Sequence, residues 1–151
     1  MSATATTTER PHRALTSDHG GKLDVIVVTP EATVREVSAE FIALPLFDGE
    51  IGIAPGHSPM IGRMGYGEMR IVVGNEIERF YVDGGFVQVV DNLVSVLTNR
   101  AVPSGTLNVQ AATEQLAAAH QRPANTPELA AIRDRLELQA RAQIHTAKRA
   151  K

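Results

Sequence analysis

The sequence predicts a mainly β fold with a smaller α part: an antiparallel β-sandwich followed by an antiparallel two-helix hairpin. Turn signals recur between Leu23 and Asn99 at the roughly 8–12-residue spacing typical of sandwiches and barrels. Between the turns, apolar residues alternate with period two, as on strands with one buried face. After Pro103-Ser104-Gly105 the period changes to that of a helix.

The elements follow in order. Residues 1–21 are rich in Ser, Thr and Ala and end in Gly20-Gly21, too poor in large apolar side chains to offset their ordering entropy. They read as a disordered extension. A targeting peptide is the competing reading, since Arg10 and Arg13 sit among hydroxyl residues, but an amphipathic pattern is missing and Glu9 and Asp18 intrude. Residues 22–104 read as the sandwich. Its turns are expected at Thr29-Pro30, Asp48-Gly49, Gly65-Tyr66-Gly67, Gly74-Asn75, Asp83-Gly84-Gly85 and Asp91-Asn92. The alternations Leu23/Val25/Val27, Met69/Ile71/Val73, Phe80/Val82, Val87/Val89 and Val94/Val96 supply the strands.

Residues 105–151 read as the hairpin. Asn108 is placed to cap a helix from Val109 to about Gln121, with Leu116 and several alanines as its packing stripe. Arg122-Pro123-Ala124-Asn125 breaks that helix. Thr126 then caps a second one, with Pro127 at its first position and Glu128 in its first turn. Leu129, Ile132, Leu136, Ala140 and Ile144 share one face. An alanine-rich seam gains little at about 25 cal/mol per Å2, so the hairpin should be weakly held and mobile.

Composition excludes several function classes. Cysteine is absent, which removes disulfides, thiolate nucleophiles and the usual sulfur ligands of zinc. No apolar run approaches the ~18 residues of a membrane span, so membrane association would go through a partner. The net charge of −2 is unevenly spread. Residues 23–100 hold eleven acids against five bases, whereas residues 128–151 hold three against six. That division fits two regions with different partners, or a solvated helix end whose cations complement its dipole.

The search for chemistry is mostly negative. Phosphate-binding Gly-x-x-x-x-Gly-Lys-Ser/Thr, the Gly-x-Ser-x-Gly elbow and His-Glu-x-x-His are all missing. Gly84-Gly85 follows a strand but opens no helix, and reads as a turn. His12, His19, His120 and His145 lack ligand spacing, so neither a metal nor another cofactor is expected, nor is a nucleic-acid partner. The densest stretch is Asp48-Gly49-Glu50-Ile51-Gly52-Ile53-Ala54-Pro55-Gly56-His57. It reads as a stiff, tight loop that holds Glu50 and His57 at a surface. Asp48 and Glu50 lack a third group for acid–base work, and His57 reads as a loop histidine bonded to nearby backbone.

The run DGEIGIAPGHSPMI resembles the signature of the epsilon subunit of F-type ATP synthases, called delta in mitochondria. The likeness extends in register through Leu23–Pro30, Gly67–Ile71, Gly84–Val89 and Val94–Thr98, covering roughly residues 22–100. It implies a non-catalytic rotor subunit that joins the gamma subunit to the c-ring, with an exposed sandwich face docking gamma. Glu50, Gly52, His57 and Ile61 then map to the end facing the ring, where Glu50 would pair with a basic residue and Gly52 would permit close approach. The resemblance also implies that the hairpin can reach the catalytic alpha and beta subunits and block ATP hydrolysis. Arg133, Arg141, Lys148 and Arg149 would supply the basic face for that contact.

The chain departs from those relatives that bind ATP through Ile/Leu-Asp-x-x-Arg-Ala. The matching residues are Leu107, Asn108, Ala111 and Ala112, with neither the acid nor the arginine, so nucleotide binding is not expected. The cytoplasmic face of a bacterial cell membrane is the expected location, reached through the c-ring, rather than an organellar inner membrane. Two other readings compete. A stand-alone β-sandwich module for a peptide or other ligand would need exposed aromatics or a polar pocket. A small enzyme would need Asp48, Glu50 and His57 to converge.

Overall fold

The computed structural model describes residues 21–150, so the extension expected over residues 1–21 lies outside the described residues apart from Gly21. Eight strands come first: β1 (Leu23–Val28), β2 (Thr33–Ala39), β3 (Phe41–Leu46), β4 (Gly49–Ile53), β5 (Met60–Val73), β6 (Glu76–Val90), β7 (Leu93–Leu97) and β8 (Ala101–Pro103). A 3-10 turn at Ser104–Thr106 leads into helix α1 (Val109–His120) and helix α2 (Pro127–Arg149). The strands form one hydrogen-bonded sheet in the order β2-β1-β7-β6-β5-β3-β4, with β8 beside β6.

The sheet folds over a single core. Leu23, Val25, Val27, Ile42, Leu44, Met69, Ile71, Val82, Val87, Val89, Val94 and Val96 are buried in one cluster, so every alternation noted in the sequence points inward. The layers are also tied by charge: Arg35 of β2 forks onto Glu78 of β6 with N···O distances of 3.0 and 2.7 Å. Most pairings are antiparallel, but β1 and β7 run parallel, from Asp24 opposite Leu93 to Val28 opposite Leu97. Alternation reports which face of a strand is buried and says nothing of its direction, so the wholly antiparallel expectation was too simple.

Two expected turns are bends inside long strands. Gly65-Tyr66-Gly67 lies within β5 and Gly84-Gly85 within β6. The core-facing positions change phase there. They are Met64 before the bend and Met69 and Ile71 after it in β5, and Phe80 and Val82 followed by Val87 and Val89 in β6. The β5–β6 register is the same on both sides, so the ribbon turns over as a unit. Beyond the bend β6 changes neighbours: its Phe86–Val90 segment pairs with β7 and its Phe80–Val82 segment with β8. Gly85 makes this possible. Its φ is +104°, and a Cβ there would lie 1.9 Å from the Leu97 carbonyl oxygen.

The helices start where expected. Asn108 Oδ1 accepts from Ala111 N at 3.1 Å and Thr126 Oγ1 from Leu129 N at 3.2 Å, each satisfying an N-terminal donor. Ala112 and Ala119 of α1 are buried, and Leu116 between them is half-buried. On α2 the expected stripe is only half right. Leu129 is exposed, Ile132, Leu136 and Ile144 are half-buried, and the fully covered residues are Ala140, Gln143, Thr146 and Ala147. His120 at the end of α1 reaches Glu137 at 3.1 Å, so the short helix lies along the C-terminal half of the long one. That half is covered by α1 on one side and by β5 and β6 on the other.

Substitution tests the bend. Gly85→Ala should cost about 3 kcal/mol or more, from unfavourable φ and the clash with Leu97. Gly74→Asn also needs positive φ but meets open space, and should cost less than about 1 kcal/mol in urea unfolding.

Candidate functional site

The stretch from Asp48 to His57 is not a loop throughout. Phe47 and Asp48 turn the β3–β4 hairpin, Gly49–Ile53 is an edge strand, and only residues 54–59 form a loop. Glu50, opposite Pro45, accepts from Arg70 Nη2 at 2.7 Å. Gly52 is explained by the chain itself. A Cβ there would lie 2.7 Å from the Phe41 ring, so an internal aromatic fills the space that the sequence reading kept for a partner. In the loop, His57 Nδ1 donates to the Ser58 carbonyl at 2.7 Å, and Gly56 N donates to Asn92 Oδ1 at 2.7 Å. Ile61 is the second residue of β5 and is 75% exposed. It shares the outer face of its layer with Arg63 and Phe86, whereas Glu50 and Gly52 lie on β4 beyond the bend. The four residues therefore do not form one flat patch.

This geometry gives no catalytic centre. Glu50 is turned to Arg70, His57 to its neighbouring carbonyl, and Asp48 sits in the hairpin turn. Among the described residues, no group of three or more His, Cys, Asp or Glu side chains could hold a metal ion. Leu107, Asn108, Ala111 and Ala112 lie at the start of α1, where Asn108 is used as the cap. The expected basic row is partly neutralised: Arg133 and Arg141 both lie 3.7 Å from Glu137. Lys148 and Arg149 remain exposed at the end of α2.

The seat beneath α2 is polar, which periodicity did not foretell. Past the bend, the outer face of β5 and β6 carries Glu68, Arg70, Arg79, Tyr81 and Asp83, paired across the ladder. Gln139 of α2 donates to Asp83 Oδ1 at 2.9 Å. Glu68, with its side chain 4% exposed, takes both Arg79 Nη1 at 2.9 Å and Arg70 Nη1 at 3.3 Å on the same oxygen. Its other oxygen and the Thr146 and Ser104 hydroxyls are buried without a hydrogen-bond partner among the described residues, and the Tyr81 hydroxyl is buried beside Gln143. Burial pushes the Tyr81 phenol well above its ordinary value. The Asp83 charge adds to this, while Gln143 and Arg100 act in the opposite direction.

The opposite layer shows a different surface. Phe86, 58% exposed, and Leu97, 53% exposed, face each other across β6 and β7. The Arg63 guanidinium lies 4.8 Å from the centre of the exposed Phe47 ring. An open groove of about 660 Å3 runs alongside, lined among others by Val28, Pro30, Met64, Tyr66, Phe86 and Leu97. Sequence reasoning missed this patch, although its signal was present: Ile61, Phe86 and Leu97 are apolar residues out of phase with the core alternation.

The Tyr81 shift sets a pH dependence. A raised phenol pKa means the folded chain holds this proton more tightly than the unfolded one. The resulting stability is complete below the ordinary value of 10.0 and is lost as pH rises toward the folded value. Tyr81→Phe should therefore gain on the wild type above pH ~10, by up to about 1.4 kcal/mol per pH unit, as read from urea unfolding at each pH.

Comparison with known proteins follows the same division of the chain. Residues 22–104 match the family model described as ATP synthase, Delta/Epsilon chain, beta-sandwich domain. The chain is 48% identical over 123 residues to the ATP synthase epsilon chain of Rhodopirellula baltica, covering 82% of this chain and 96% of that one. It is 33% identical over 109 residues to the epsilon chain of Rubrobacter xylanophilus, covering 72% and 75%. By fold it is similar to a chain in the Euglena gracilis mitochondrial ATP synthase, with a TM-score of 0.69 at 20% identity, over 86% of this chain and 81% of that one. A chain of the Tetrahymena thermophila central stalk and c-ring gives 0.68 at 16%, over 83% and 96%. With a family model spanning the whole sandwich and a 48% identical relative matched almost end to end, the chain belongs to the ATP synthase delta/epsilon family.

Proposed function

We propose that the chain is the epsilon subunit of an F-type ATP synthase, a non-catalytic part of the central stalk that joins gamma to the c-ring. The observation that carries this reading is the 48% identity to an epsilon chain across 96% of that relative. The structural likeness to chains from central-stalk and c-ring assemblies is consistent with it.

Within that role, the outer apolar face around Phe86 and Leu97 docks gamma. Large exposed side chains on a stiff sheet suit a lasting contact between subunits. The end bearing Glu50, His57 and Ile61 faces the ring. Glu50 offers it a carboxylate and Ile61 an uncovered apolar side chain, while Gly52 acts by seating Phe41. The hairpin is the regulatory arm. Its seat holds buried polar groups without a partner among the described residues, which favours release, and the exposed Lys148 and Arg149 offer cations to an acidic surface on the alpha and beta subunits. Arg133 and Arg141 join them once Glu137 is given up. No described helix is long and apolar enough to cross a membrane. The subunit is held peripherally through the ring, at the cytoplasmic face of a bacterial cell membrane.

Reconstitution with gamma and the alpha–beta head tests the arrangement. Phe86→Asp should leave the melting temperature nearly unchanged, because the side chain is exposed, and weaken gamma binding by about tenfold or more. Lys148→Gln/Arg149→Gln should keep gamma binding and relieve the slowing of ATP hydrolysis. Undiminished gamma binding by Phe86→Asp would remove that face from the docking surface.

A further inference from the structure

The acids Glu50 and Glu68 share one arginine, and the sharing is unequal. Arg70 gives Nη2 to the half-exposed Glu50 at 2.7 Å and Nη1 to the buried Glu68 at 3.3 Å. Arg70 thus serves the buried carboxylate less closely than the exposed one; Arg79 also holds its Oε1, and its Oε2 has no partner among the described residues. A guanidinium can grip both oxygens of one carboxylate with its fork, but here the fork is divided between two acids. Glu68 lies in the seat of α2, directly across the β5–β6 ladder from Tyr81. The environment of this carboxylate therefore contributes to how firmly the hairpin is held.

We infer that Arg70 couples the Glu50 end of the sandwich to the docking of α2: a cationic side chain that engages Glu50 frees Arg70 to fork onto Glu68 and tightens the hairpin on its seat. The inference rests on the reading that Glu50 meets a basic partner, but the switch itself is internal to the chain. Coupling is reciprocal, so release of α2 exposes Glu68 to water, returns Arg70 to Glu50 and weakens the hold on the partner's cation. Attachment at one end and retention of the arm then favour each other. Arg79 remains on Glu68 in both arrangements and keeps the buried charge compensated.

Hydrogen exchange on the full chain tests this without any partner. Glu50→Gln removes the competing charge and should slow exchange in the C-terminal half of α2 by about fivefold or more, with β7 as an internal reference. Arg70→Lys keeps a charge but lacks the fork, so Glu50→Gln in that background should leave α2 exchange unchanged. Unaltered or faster α2 exchange in the single Glu50→Gln variant overturns the proposal. An equal slowing in the Arg70→Lys background overturns it too, because the fork would then have no part. Binding of each variant to the isolated c-ring reports separately on the rotor reading: lost binding with unchanged exchange refutes the coupling and leaves the rotor role intact.

Discussion

The turning-over of the β5–β6 ribbon at Gly65 and Gly84–Gly85 sets the position of every surface in the molecule. Before the bend, Met64, Val87 and Val89 face the core and Arg63 and Phe86 face out; after it, Met69, Ile71, Phe80 and Val82 face the core and Glu68, Arg79 and Tyr81 face out. One two-stranded ribbon thereby supplies an apolar outer surface in one layer and a polar one in the other. The close approach of Gly85 to the Leu97 carbonyl fixes where this happens, since any side chain there would force the strands apart. Asp83 N, shared between Thr98 Oγ1 at 3.2 Å and the Arg100 carbonyl at 3.1 Å, secures the neighbouring chain at the same point.

The seat beneath α2 differs in kind from the sandwich core. Between the sheet and α1, α2 buries Ala140, Gln143, Thr146 and Ala147, two alanines and two polar residues. Burying an alanine methyl group contributes under about 1 kcal/mol, whereas a buried polar atom left without a partner costs about 1–3 kcal/mol. Those opposing quantities are of similar size. The Gln139–Asp83 hydrogen bond ties the helix to β6 and the His120–Glu137 contact ties it to α1, while the Thr126 cap and the Arg133 and Arg141 pairs with Glu137 lie within the helix.

Much of this was legible from residues. The alternations at Val25/Val27, Met69/Ile71 and Val94/Val96 named the core because period two has one meaning once a face is buried. Asn108 and Thr126 named the helix starts because capping is local chemistry. Gly65 and Gly84–Gly85 were misread as turns because glycine marks any departure from extended backbone, and a reversal and a bend differ only in what the strands do afterwards. The change of phase between Phe80/Val82 and Val87/Val89 was the available sign of a bend. Gly52 shows a related limit: close approach can be read from a glycine, but not the identity of what approaches, and within the chain that is Phe41. The seat beneath α2 was invisible, since Glu68, Tyr81 and Gln143 come together only through tertiary packing.

The contrast between the two outer surfaces bears directly on the division of labour in the proposed rotor subunit. A contact that must survive continuous rotation is served by exposed aromatic and aliphatic side chains on a rigid sheet, where burial is favourable and no charge must be dehydrated. A contact that must be made and broken is better served by ion pairs and hydrogen bonds, whose partners exchange for water at modest net cost. The Phe86–Leu97 face has the first character and the Glu68–Tyr81 seat the second. Because the ribbon turns over between them, residues as close in sequence as Asp83 and Phe86 serve opposite surfaces. Arg70, reaching from the edge of the polar seat to Glu50, extends the polar side of the molecule to the edge strand β4.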